Sequence, residues 1–528
     1  MYDFIIVGAG SAGCVLANRL SANPAHKVLL LEAGPRDNNP VIHMPGGAAE
    51  AMKSSKLNWK MESTRQKNMG NRKLSVPRGK TLGGSSAVNG MVYIRGHASD
   101  YDDWAEAGND GWSYKDVLPY FKKSENNSRG ANEFHGDQGE LQVSDAGSNL
   151  PAFDIFVEAG KEIGIKECED FNGADQEGIG LYQTTIRKGL RSSSAAAFLK
   201  PAEKRSNLTV RTGIEVTRVI LSGKRVTGVE VLSGKKTEVI NASREVILSA
   251  GAIKSPHILQ LSGIGRESDL TEAGVRTLHE LPGVGYNLQE HLDLHINYET
   301  KPEISLNGLD FFPHNAKIGL EWLLTKDGIG AYSGIEGGAF LKSSPELSRP
   351  DIQFHFVPTY MISLTDPLPR TKGISIQGCN LRPESRGTIK VKSANPLDYP
   401  EIDFNLLDSE YDMQVLRKAL DITFDMAASK AWSKYITRPI TPNLESTNEE
   451  VLRDVIRRTA ETVYHPVGSC KMGQDELSVV DETLKVRGLE GIRVCDASII
   501  PNLIGGNTNA PTMMIGEKCA DMILAEAS

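Results

Sequence analysis

The sequence holds no C-x-x-C pair, no run of basic residues and no uninterrupted apolar stretch near the ~20 residues a membrane-spanning helix needs. Each absence removes a class of function. Its six cysteines (Cys14, Cys168, Cys379, Cys470, Cys495, Cys519) are scattered, so neither a zinc ribbon nor a disulfide framework is expected. Reduced thiols of a cytoplasmic protein fit best. Lysine and arginine are dispersed and the net charge is −8, which argues against a nucleic-acid surface and for a small partner. The apolar run at Phe4 has no basic leader, so no signal peptide is expected, while peripheral contact with the inner membrane stays open. Aromatics are only 6%.

Glycine, by contrast, is abundant at 51 residues, against a usual share of about 7%. It clusters. Residues 2–33, YDFIIVGAGSAGCVLANRLSANPAHKVLLLEA, read as strand, glycine turn, helix and strand. In Gly8-x-Gly10-x-x-Gly13 the first glycine permits the tight turn, the second lets the backbone approach a pyrophosphate, and the third lets helix and strand pack closely. The helix N-terminus then offers free N–H groups to phosphate. Glu32, 19 residues past Gly13, is placed for ribose hydroxyls. The motif alone does not separate FAD from NAD.

A second glycine cluster, RGKTLGGSSAVNGMVYIRG at 78–96, brings backbone amides close to an anionic or planar group. This segment resembles the first signature of the glucose–methanol–choline (GMC) flavin oxidoreductases, and GAIKSPHILQLSGIG at 251–265 resembles the second. GVGYNLQEHL at 283–292, RVCDASIIP at 493–501 and NTNAPTMMIGEKCADMI at 507–523 are also similar to segments of that family. The resemblance implies FAD, held first by Gly8, Gly10, Ser11, Ala12, Gly13, Glu32 and Ala33. It adds Leu82, Gly84 and Ser85, then Asn89, Gly90, Met91 and Val92 near the isoalloxazine ring, and the backbone of Val216 near adenine. Ala250, Asp496, Ala497, Asn507 and Thr508 complete the implied set. Some choline-oxidising members attach flavin covalently through a histidine where this chain has Val88, so FAD is expected to be noncovalent.

The cofactor motifs recur late in the chain, so the expected fold is a discontinuous α/β FAD-binding Rossmann-like domain with an inserted α+β substrate domain built on an antiparallel sheet. The cofactor domain is expected at 1–155, 190–300 and 460–528, and the substrate domain at 156–189 and 301–459. Residues 208–248 read as a β-meander, with 244–252 returning to the parallel sheet. Strands are expected at 335–341, 351–358 and 387–393, and a helix around 412–428.

His465, in YHPVGSCKMG, is read against three alternatives. A metal ligand needs partners, and Cys470 has no further pair to join, so no metal is expected. His291 and His295 stand on an alternating, strand-like segment, which puts them about 13 Å apart and marks them as structural. A buried histidine bonded to a carbonyl is the plain alternative. Hydride removal from an alcohol, however, requires a base for the hydroxyl proton, and neutral imidazole is suited to that near pH 7. The resemblance assigns this role to His465 and pairs it with Asn509, whose amide would aim the alcohol oxygen. A helix cap is the alternative for Asn509. Glu336 resembles a glutamate that contacts quaternary ammonium in choline-oxidising relatives.

The expected activity is oxidation of a primary alcohol to the aldehyde, with a small alcohol as substrate and oxygen or a quinone as acceptor. Choline is a narrower alternative. A FAD-containing hydroxynitrile lyase without redox turnover is the rival from another class, and a non-catalytic flavoprotein the third reading.

Overall fold

The computed structural model describes residues 1–148, 150–363, 366–442 and 448–527. The chain folds around two sheets. The first begins with β1 (Tyr2–Val7), whose last four residues are all buried, and runs through Gly8 into α1 (Ser11–Ser21) and β2 (Val28–Glu32). It is completed by β3 (Leu208–Thr212), β4 (Glu215–Ser222), β5 (Arg225–Ser233) and β6 (Lys236–Leu248), in the order β3-β2-β1-β6-β5-β4. Strand Ile492–Val494 pairs with β6 on one side. Both faces of the parallel part are covered, as its unbroken apolar strands require.

The meander expected at 208–248 is real for β4, β5 and the first half of β6, which pair antiparallel. β3 departs from it and lies parallel beside β2. β6 serves both patterns, because residues 236–241 pair antiparallel with β5 while 245–248 pair parallel with β1. Thirteen residues are long enough to carry the change of partner within one strand.

The second sheet is antiparallel throughout. It contains strand Gly178–Leu181, β7 (Leu292–Thr300), β8 (Gly337–Leu341), β9 (Ile352–Val357), β10 (Gly373–Asn380) and β11 (Ile436–Thr441), with Glu461–Thr462 added against β7. Its order is β11-β7-β10-β9-β8-(178–181). β7 lies within the segment expected to close the first domain at residue 300, yet it pairs into this second sheet. Residues 387–390 form a strand of a separate three-stranded sheet. The predicted helix spans Glu410–Ala427 and buries Leu416, Ala419 and Leu420 on the second sheet's core. Burial of such side chains contributes roughly 1.5–3 kcal/mol each.

The late helix Asn509–Ala527 returns to the first domain and packs on α1, where a Cβ on Gly516 would lie 3.1 Å from Ala12. Asn509, at the start of this helix, thereby meets Ser11 beside the glycine turn. Among the described residues no helix is long and apolar enough to cross a membrane.

Candidate active site

A cavity runs from the C-terminal ends of β1 and β6 to the second sheet. At one end the glycine turn shapes it. Gly8 has φ +99°, and a Cβ there would come 2.5 Å from the Ser249 carbonyl. Gly13 does not line the cavity; a Cβ on it would sit 1.9 Å from the Gly8 carbonyl, so its glycine serves the close helix–strand packing. A Cβ on Gly10 would meet only the Ser249 carbonyl, at 3.9 Å. The protein alone does not require glycine at 10. The space beside it, at the N-terminus of α1, is where a pyrophosphate fits.

Glu32 reaches the same wall, but its two oxygens already accept main-chain bonds, Oε2 from Ala9 N at 3.0 Å and Oε1 from Gly34 N at 2.8 Å. Burial pushes its carboxyl up to about 7 against those donors. The residue thus ties the glycine turn to β2, with remaining lone pairs toward the cavity. Ser249 also lines the cavity and its buried hydroxyl has no hydrogen-bond partner. An orphaned polar atom, an open Gly10 and a helix N-terminus together fit a dinucleotide.

Of the other expected cofactor residues, Ser11, Ala12, Ala33, Gly84, Ser85, Asn89, Gly90, Met91, Val92, Val216, Ala250, Asp496, Ala497, Asn507 and Thr508 line this cavity. Asp496 accepts from Gly251 N at 2.9 Å and from Ser255 Oγ at 2.5 Å, which fixes the start of the helix Gly251–Leu261. Leu82 does not line it. Its side chain is buried in the first core, as an apolar residue in a close-packed glycine segment prefers. Val88 lines the cavity.

His465 sits at the far end, and its approach is constrained. Tyr464 adopts φ +66°, uncommon for a bulky residue, and its carbonyl accepts from Arg78 Nη2 at 2.5 Å. The His465 amide donates to Glu290 Oε1 at 2.6 Å. Its ring Nδ1 lies 3.0 Å from His291 Nδ1, and its Nε2 lies 3.3 Å from Asn507 Nδ2. Burial first, then His291 and His355, hold the imidazole well below its usual pKa, so it is neutral at pH 7. A neutral imidazole on a cavity wall can accept a proton.

Asn509 also lines the cavity, but its side-chain bond runs to α1 rather than to His465. Its Oδ1 accepts from Ser11 Oγ at 2.8 Å, joining the first turn of the late helix to α1. Thr508 alone separates Asn507 from the first residue of that helix, and the amide that meets His465 is that of Asn507. Glu336 also departs from expectation. Its Oε2 accepts from Ser148 N at 3.1 Å and it borders a different pocket, with Tyr332 and Lys326. Ile335 faces the main cavity, and on an extended chain the next side chain points to the opposite face.

Sequence reasoning missed the cavity's polar far wall. Asp293, His295, His355 and Gln377 all line it, carried by β7, β9 and β10. Asp293 Oδ1 is buried without a hydrogen-bond partner, and Oδ2 lies 3.6 Å from His295 Nε2. Despite burial, Asp293 raises the His295 pKa. An alternating strand signals such a wall only when its partner strands are known. Among the described residues, no group of three or more histidine, cysteine or acidic side chains is placed to hold a metal ion.

The GMC oxidoreductase description matches residues 2–293 and again 383–516. The chain belongs to the GMC oxidoreductase family. It is 46% identical to the alcohol dehydrogenase [acceptor] of Pseudomonas putida, covering 99% of this chain and 96% of that one. It is 44% identical to the oxygen-dependent choline dehydrogenase of Escherichia coli (strain K12), covering 99% and 95%. Its fold matches that of an FAD-dependent oxidoreductase from Chaetomium thermophilum with a TM-score of 0.89 and 26% identity, over 100% of each chain. The GMC chain is accordingly an FAD-dependent oxidoreductase.

Proposed function

We propose that this GMC oxidoreductase oxidises a primary alcohol to the aldehyde, with His465 Nε2 accepting the hydroxyl proton. The observation that carries the reading is a buried imidazole on the cavity wall whose Nε2 lies 3.3 Å from the Asn507 amide nitrogen. When alcohol binds, Asn507, in place of the expected Asn509, turns the Nδ2 donor that meets His465 Nε2 in the free protein onto the alcohol oxygen. This holds the carbinol and frees the Nε2 lone pair for the hydroxyl proton. When bound, FAD supplies the two-electron acceptor for the carbinol hydride. The protein supplies position and the proton acceptor. The first sheet is the cofactor domain and the second the substrate domain, with the reacting end of the cavity between them. FAD is noncovalent, because Val88 offers no atom for a bond; flavin colour left in an acid-precipitated pellet contradicts this. Oxygen or a quinone reoxidises the enzyme.

The relatives named alcohol dehydrogenase and choline dehydrogenase support alcohol substrates. A cationic alcohol of the choline type is the second reading, favoured by the unpartnered Asp293 Oδ1 on the cavity wall. Anaerobic mixing with aliphatic, aromatic, amino and sugar alcohols tests the activity. Bleaching of the flavin by a primary alcohol is expected, and readmitted air then reports whether oxygen is the acceptor. Turnover of a cyanohydrin with no bleaching by any alcohol identifies the lyase instead.

A further inference from the structure

His465 is one link in a chain of hydrogen bonds that starts and ends on backbone carbonyls. On one side, His291 Nε2 lies 3.1 Å from the Leu381 carbonyl, just past β10. A carbonyl only accepts, so Nε2 of His291 carries its hydrogen. His291 is buried and neutral, its pKa pushed down to about 3 by burial, so its Nδ1 is bare. That bare nitrogen lies 3.0 Å from His465 Nδ1, which therefore donates.

On the other side, Tyr182 OH donates to the Phe354 carbonyl of β9 at 2.6 Å, which commits the phenolic hydrogen. The group 3.1 Å from that phenolic oxygen must then be a donor, and it is Gln353 Nε2. The same Nε2 lies 3.0 Å from Asn507 Oδ1. Asn507 consequently turns Nδ2, a donor, toward His465 Nε2 at 3.3 Å. From both ends the hydrogen is placed on Nδ1 of His465 and the lone pair on Nε2.

We infer that His291 and Gln353 are positioning residues that set the tautomer of His465 from opposite sides, leaving Nε2 as the proton acceptor facing substrate. The two routes share no residue before they reach His465 and Asn507. Agreement between them removes the flip and tautomer freedom that an imidazole and two amides otherwise have. His291 is not a structural bystander of a strand: it acts through His465, as an orienting partner acts on the base of a hydrolytic triad, where the wrong tautomer costs up to about 10⁴-fold in kcat. The inference rests on His465 being the base.

The test compares His291→Leu, which removes the acceptor, with His291→Asn, whose amide oxygen can stand where Nδ1 stood. Histidine ¹⁵N spectra of each holoenzyme are read beside those of His465→Ala, which identifies the His465 signals. The expected wild-type pattern is a protonated Nδ1 and a bare Nε2, lost in His291→Leu and kept in His291→Asn. Anaerobic flavin reduction at saturating alcohol is expected to slow about 100-fold in His291→Leu with KM within about 3-fold, and to stay within about 5-fold of wild type in His291→Asn. Gln353→Met, which frees the Asn507 amide, is expected to slow reduction about 10-fold and carries the test should His291→Leu not fold. Wild-type reduction and an unchanged tautomer in His291→Leu, or in Gln353→Met where it alone folds, overturn the inference while leaving His465 as base. Wild-type reduction in His465→Ala overturns the base and the inference with it.

Discussion

The two ends of the cavity are built by different means. At the cofactor end the working groups belong to the backbone: turns at Gly8, a helix N-terminus at Ser11, and amides tied by Glu32 and Asp496. At the reacting end they are side chains from positions far apart in sequence, namely Tyr182, His291, Gln353, His465 and Asn507. A backbone site is written in a short local pattern, because glycine spacing and one strand–helix turn define it. A side-chain site exists only once two sheets and a late loop have met.

Substitutions can break that contrast or sharpen it. The largest effect is expected from Gly10→Val at the backbone end, where branched carbons would fill the space left beside the α1 N-terminus. The purified variant should carry no flavin absorbance, and a fully flavinylated protein would count against a pyrophosphate there. At the side-chain end, Asn507→Ala is expected to bind flavin normally yet slow its reduction by about 10- to 100-fold, whereas Asn509→Ala stays within about 3-fold. The reverse ranking in stopped-flow reduction restores Asn509 as the aiming residue.

A smaller effect belongs to the polar far wall. Asp293→Asn should raise KM for a quaternary-ammonium alcohol about 10-fold, equivalent to about 1.4 kcal/mol, and leave neutral alcohols within about 2-fold. Equal changes for both classes would mean that the carboxylate does not read charge. The smallest is Glu336→Gln, expected to alter kcat/KM by less than about 2-fold for any alcohol, since the side chain borders another pocket. A large loss specific to cationic alcohols would return Glu336 to the substrate.

The legibility of each region follows the same physics. The strand–glycine–helix unit at 2–32 and the covered parallel sheet were readable because period and turn chemistry are local. So were β8, β9 and the helix Glu410–Ala427. β3 was misplaced in the meander because its parallel pairing with β2 spans some 180 residues of chain and leaves no trace in its own alternation. His465 was singled out through its sequence setting and lies on the cavity wall. His291 was set aside because the spacing to His295 was tested for a shared metal, while its actual partner lies 174 residues on. Asn507 and Asn509 are two asparagines on either side of Thr508, one in the loop and one opening the late helix, and only that helix entry distinguishes them. Glu336 borders a second pocket while its neighbour Ile335 lines the main one, a difference that a one-residue step along the chain does not announce.

Replacing the His465 imidazole by the methyl of alanine tests the account most directly, with flavin content and the anaerobic rate of flavin bleaching by a saturating primary alcohol read on one preparation. His465→Ala is expected to hold a full complement of FAD and to bleach at least ~100-fold more slowly than the wild-type enzyme. Bleaching at the wild-type rate would contradict it.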